Sequence, residues 1–160
     1  IGGSKLKRYY KILFLMITVL LLIVLINVIS KNDSSNVYAA SSSSASDLQL
    51  MARAINGEAR GEPYTGQVAV GAVVMNRIKS SSFPNTLSGV VYQSGAFDAV
   101  KDGQVNLTPD STARKAAQDA MNGWDPSYGA IYYFNPSTAT NKWIWSRPMT
   151  VTIGKHRFCK

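Results

Sequence analysis

The chain has 160 residues, with 17 Lys/Arg against 9 Asp/Glu and a formal net charge of +8. A single cysteine, Cys159, and a single histidine, His156, exclude an intrachain disulfide, a four-ligand Cys/His zinc site and a well-supported Cys-His or Ser-His nucleophile. The basic residues are scattered, without a zinc-finger, RNA-binding or P-loop pattern, so nucleic acid is not an expected partner.

Residues 1–11 carry Lys5, Lys7, Arg8 and Lys11 ahead of an apolar run over 12–29 in which only Thr18 and Asn27 are polar. The run is about long enough to cross a bilayer, and the flanking charge places its N-terminal side in the cytoplasm. The expectation is a transmembrane or signal-anchor helix, making this a single-pass cell-membrane protein with the remainder extracytoplasmic. Val37-Tyr38-Ala39 offers the alternative of secretion after cleavage near Ala39. Residues 30–46, rich in serine, read as a flexible linker with nothing to pack. The globular part is expected over 47–160. From residue 41 onward the balance is 12 basic to 8 acidic residues, a net of +4. That mild positive charge suits an anionic polymer or surface without identifying one.

Asp47 can cap a helix on which Leu48, Met51, Ile55 and Glu58 recur at spacings of three or four and share one face. Gly61, and Pro63 acting on Glu62, end it near Arg60. Glu58 therefore continues an apolar stripe in the last turn, where desolvation and the negative helix end both raise a carboxyl pKa. That is the environment of a general acid; the bland alternative is a boundary glutamate paired with Arg60 or Arg53. A second helix capped by Thr65 is predicted through Ile78, uncharged from Val68 to Met75 and so buried nearly all round. Gly71 and Ala72 would let a neighbouring helix approach closely. Arg77, at its far end, reads as half of a structural ion pair.

A short helix is predicted over 86–92, then an extended piece from Gly95 ending in the Asp102-Gly103 turn. Thr108-Pro109-Asp110 signals the start of an alanine-rich helix that stops at Asn122-Gly123. The last third turns aromatic: strands are predicted over 130–134, 142–146 and 149–153, with a final one after the Gly154-Lys155 turn. The class is α+β, with helices first and a small antiparallel sheet in the C-terminal third, preceded by the N-terminal transmembrane helix.

Several ordered motifs resemble the spore-cortex-lytic, cell-wall hydrolase family of Gram-positive bacteria across nearly all of residues 48–158. They are Asn56-Gly57-Glu58-Ala59-Arg60-Gly61-Glu62, Gly66-Gln67-Val68-Ala69-Val70, Val74-Met75-Asn76-Arg77, Phe83-Pro84, Ser88 through Gln93, Ala116 through Ala120, Ala130 through Pro136, Ser146-Arg147-Pro148 and Ile153 through His156. The resemblance implies a lysozyme-like single domain that cleaves peptidoglycan between N-acetylmuramic acid and N-acetylglucosamine. For members acting on cortex it implies lytic transglycosylase chemistry with recognition of muramic-δ-lactam, and it puts the catalytic glutamate at Glu58. The family often has Gln-Phe where this chain has Ala96-Phe97, and Asn-His where it has Lys155-His156. These departures leave the acid in place and bear on the choice between cortex and vegetative wall.

A glycosidase needs an acid on the leaving oxygen, and Glu58 is the candidate. In a lytic transglycosylase the sugar's own C6 hydroxyl closes a 1,6-anhydro ring, so one carboxylate serves as acid and then base. A water-dependent muramidase would need a second carboxylate, for which Glu62 and Asp98 are the candidates. Glu62 would lie about 6 Å along a continued helix from Glu58. Tyr132, Tyr133, Phe134, Trp143 and Trp145 offer flat faces to pyranose rings, the two tryptophans on one side of a strand. Some of these must instead form the core. Phe97 flanks Asp98; Gln93, Asn135 and Ser146 can hydrogen-bond N-acetyl or lactam groups, and Arg60 and Arg147 can meet a carboxylate or orient Glu58. His156 reads as a packed hydrogen-bonder. No metal or other cofactor is expected. A non-catalytic wall-binding or assembly protein, with an unidentified envelope partner, is the reading from a different class.

Overall fold

The computed structural model describes the backbone of residues 3–160 and the side chains of residues 7–8, 10–11, 13–28 and 44–160. The chain divides into two units, residues 1–43 and 44–160. In the first, the backbone is helical from Gly3, as part of α1 (Gly3–Ala59). The described side chains from Leu13 to Val28 are exposed. Among the described residues no helix is long and apolar enough to cross a membrane. This corrects the expected transmembrane helix over 12–29, and with it the single-pass localisation and the membrane contact. Ile12, Ile29 and most of the serine-rich segment over 30–46 lie outside the described side chains, and residues 1–2 of the basic segment outside the described backbone.

The second unit has α2 (Tyr64–Lys79), α3 (Leu87–Val91), α4 (Asp98–Lys101), a 3₁₀ turn over Gln104–Asn106 and α5 (Ser111–Met121). Then come β1 (Tyr132–Phe134), α6 (Lys142–Trp145), β2 (Met149–Ile153) and β3 (His156–Cys159). This is the expected order of helices first and a small antiparallel sheet last. The sheet runs β1-β3-β2, with Tyr132 opposite Cys159, Phe134 opposite Arg157 and Ile153 opposite His156.

The core forms around α2, whose Val68, Val70, Val73 and Val74 are fully buried against Met51 and Ile55 of α1, Val90 and Val91 of α3, and Phe158 of β3. The small residues set the helix spacing. A Cβ on Gly71 would stand 2.8 Å from Ala120 Cβ and 2.9 Å from Ile55 Cδ1, so α1, α2 and α5 meet where one position has no side chain. The alanines of α5, Ala113, Ala116, Ala117 and Ala120, supply the flat face this contact requires.

Several local expectations shift. The cap of α5 is Asp110 rather than Thr108: its carboxylate accepts the Ala113 N–H at 2.7 Å, and its own N–H donates to Asn56 Oδ1 at 3.3 Å. The segment after Gly95 is helical rather than extended, although Gly103 does take the left-handed turn conformation, φ 83°. Residues 142–145 are a helical turn rather than a strand, because Asn141 Oδ1 accepts the Trp143 N–H at 2.9 Å and starts it. Trp143 and Trp145 consequently do not share a face.

Candidate active site

α1 ends at Ala59, and Glu58 in its last turn opens into a cleft of about 770 Å³. One wall comes from residues 93–104, the other from β1 and residues 135–144, with Arg77 of α2 and His156 of β3 also facing it. Both carboxyl oxygens of Glu58 are held. The Ala99 N–H donates to Oε1 at 2.7 Å, and the Tyr133 hydroxyl donates to Oε2 at 2.9 Å. Ala99 can come this close because the residue before Glu58 is glycine: a Cβ on Gly57 would collide with Ala99 Cβ. Asn56, buried beside it, fixes the other side of the turn through Asp110.

Burial raises the Glu58 pKa above the usual carboxylate value of 4.5, and the negative charges of Asp98 and Asp102 push it further up. The bonds from Ala99 and Tyr133 work the other way, because both stabilise the ionised form. Desolvation is the larger influence, so the group retains its proton to higher pH than a free glutamate. Tyr133 is raised well above 10, first by its own burial and then by the Glu58 charge, so it stays a neutral hydroxyl. His156 packs its ring on Tyr133, centroids 5.2 Å apart, and burial lowers its pKa, keeping the imidazole neutral.

Of the candidate site residues read from the sequence, Glu58, Asp98, Gln93, Tyr132, Tyr133, Phe134, Asn135 and Trp143 line the cleft. Glu62 does not: its Oε2 accepts the Lys155 N–H at 2.9 Å and pins the β2–β3 turn at Gly154. Arg60 is exposed and away from the lining, and Phe97 is buried behind it against Arg77. Arg147 stacks over Tyr132 and Trp143, its guanidinium carbon 5.4 and 5.1 Å from the ring centroids. Ser146 donates to the Trp143 carbonyl at 2.8 Å. Trp145 packs against Phe134 and Arg157, outside the cleft.

Three participants escaped the sequence reading. The Ala99 amide carries no residue-type signal at all. Arg77 is in no ion pair; among the described residues the one salt bridge joins Lys115 and Asp119. Its position just after a run uncharged from Val68 to Met75 was the available clue. His156 is packed, as expected, but against the tyrosine that bonds Glu58, and it faces the cleft. Among the described residues no group of three or more His, Cys, Asp or Glu is placed to hold a metal ion.

Residues 61–159, beginning just after Glu58, match the family model described as Cell Wall Hydrolase. The spore cortex-lytic enzyme of Bacillus cereus is 64% identical over 117 residues, 73% of this chain and 45% of that protein. The chain thus spans less than half the length of that relative. In solved structures, the catalytic domain of the Bacillus cereus SleB protein matches with a TM-score of 0.68 at 65% identity, covering 71% of this chain and 89% of that one. The catalytic domain of the germination-specific lytic transglycosylase SleB from Bacillus anthracis matches at 0.69 and 64%, covering 71% and 93%.

Proposed function

The chain belongs to the cell wall hydrolase family, and on that premise we propose that it cleaves the glycan strand of peptidoglycan between N-acetylmuramic acid and N-acetylglucosamine, as a lytic transglycosylase with Glu58 as its acid and base. The observation that carries the reading is the state of Glu58: a partly buried, proton-retaining carboxyl in an open cleft, with both oxygens oriented by fixed donors. In the first step Glu58 gives its proton to the glycosidic oxygen as the bond to the muramic C1 breaks. Ionised, it accepts stronger hydrogen bonds from Ala99 and Tyr133, which lower the energy of the state just formed. The carboxylate then takes the proton of the muramic C6 hydroxyl as that oxygen closes on C1, giving a 1,6-anhydro end and restoring the acid. The two relatives with solved structures, one of them named as a lytic transglycosylase, support this chemistry. The relatives' names make spore cortex, with its muramic-δ-lactam, the substrate to try beside vegetative peptidoglycan.

Asp98, in the same cleft, favours one second reading, a water-dependent muramidase in which it serves as the other carboxylate. Mass spectrometry of muropeptides released by the chain, and by Glu58→Gln, separates the two. Anhydromuramic ends that vanish in Glu58→Gln are expected. Reducing ends would move the assignment to hydrolysis, and no release from either substrate by folded protein would overturn both.

A further inference from the structure

Three carboxylates, Glu58, Asp98 and Asp102, face the cleft, and the only Lys or Arg among its lining residues is Arg77. Arginines this buried are ordinarily matched to an acid, because an uncompensated buried charge is costly. Arg77 is 6% exposed and is not so matched. Its Nε donates to the Ile131 carbonyl at 2.7 Å, and its guanidinium lies 5.2 Å from the Phe83 and Phe97 ring centroids and 5.8 Å from that of Tyr132. Nη1 is buried without a hydrogen-bond partner among the described residues. The charge is therefore held by aromatic faces and one carbonyl, none of which neutralises it.

We propose that Arg77 is a positioning residue for Glu58, the fixed positive charge against which the Glu58 carboxylate forms when its proton leaves. This rests on the reading of Glu58 as the acid. From β1, Tyr132 and Tyr133 face Arg77, and with Glu58 they favour its charged form against the burial that opposes it. Around Glu58 stand Asp98 of α4, Asp102 just after it, and Tyr133, with neutral His156 of β3 behind the tyrosine. Without Arg77 the only other charged side chains lining the cleft would be the acids Asp98 and Asp102, leaving the Ala99 and Tyr133 donors to stabilise the carboxylate. The cation need not touch substrate to act, because the field of a buried charge acts through space and is screened less than that of an exposed one.

The sign of the effect is distinctive. A general acid works protonated, so the alkaline limb of the kcat profile follows the Glu58 pKa. Removing a nearby cation raises that pKa. Arg77→Met and Arg77→Gln are expected to move the alkaline limb upward by about half a unit or more. They should also lower kcat at the optimum about tenfold, with KM little changed. Arg77→Lys should leave the limb near its wild-type position. The assay is muropeptide release by the full chain across pH, with near-UV circular dichroism to establish folding. An unshifted limb in a folded neutral variant overturns the proposal. Should neither neutral variant fold, Arg77→Lys decides: a limb in place with measurable turnover supports the role of the charge, and a folded but inactive protein overturns it. Wild-type release that Glu58→Gln abolishes keeps the underlying reading standing whichever way Arg77 falls. An inactive wild-type chain sinks both.

Discussion

The Ala99 amide donates to Glu58 Oε1 at 2.7 Å across 41 residues of sequence, and the glycine beside Glu58 is what permits the approach. Acid and orienting donor belong to different helices, and the absent side chain at Gly57 lets the start of α4 rest on the end of α1.

Gly57→Ala should therefore damage chemistry as well as stability. The added methyl must displace α4, at about 1–3 kcal/mol for an overpacked site. It should also break the Ala99 bond, lowering kcat at least about tenfold. Urea unfolding and turnover measured on the same preparation check this. Wild-type turnover in a destabilised variant would show that the bond survives and is catalytically silent.

Tyr133→Phe isolates the second donor. The ring still packs on His156 and Phe158, so folding should be retained. The hydroxyl that lowers the Glu58 pKa is gone. The alkaline limb of kcat should move up while kcat at the optimum falls by about tenfold, the scale of one charge-assisted hydrogen bond. A limb that moves down would contradict this role.

Asp98 and Glu62 should behave differently. Asp98 raises the Glu58 pKa through its charge, so Asp98→Asn should shift the alkaline limb downward. In an anhydro-forming enzyme it should retain turnover, whereas in a water-dependent one turnover should collapse by about 100-fold or more. Glu62→Ala releases the Lys155 N–H and should loosen the β2–β3 turn, lowering Tm with turnover close to wild type. Turnover and product ends for both variants settle which carboxylates the reaction uses.

Glu58→Gln should stabilise the fold at neutral pH while abolishing activity. Because folding raises the Glu58 pKa above 4.5, the native state binds the proton more tightly than the unfolded chain. Stability contributed by this group is thus fully present below pH 4.5 and is lost as pH rises through the folded value. At pH 7 the amide escapes that penalty, so Tm should rise above that of the wild type. At pH 4 the difference should shrink. An equal Tm gain at both pH values would trace it to packing rather than ionisation.

Local patterns carried much of this. The stripe Leu48, Met51, Ile55 and Glu58, broken by Gly61 and Pro63, is sufficient to put an acid at the mouth of a helix. The uncharged run from Val68 to Met75 is sufficient to make α2 central. They are legible because burial is written as periodicity. The tryptophans misled because i, i+2 spacing means one face only in a strand, and Asn141 bent that segment into a helical turn. The run over 12–29 misled as well: among the described residues no helix is long and apolar enough to cross a membrane.

By itself the sequence determined the α+β order and the helix whose last turn holds Glu58, because spacing and turn chemistry act over a few residues, and its ordered motifs carried the resemblance to the family. Only the tertiary structure decided which groups surround that carboxyl. Ala99, Tyr133 and Arg77 reach Glu58's neighbourhood from separate elements, and Glu62, four residues along, turns away to hold a β-turn. Proton affinity in a cleft depends on distance and burial in space, and neither is a property of adjacency in the chain.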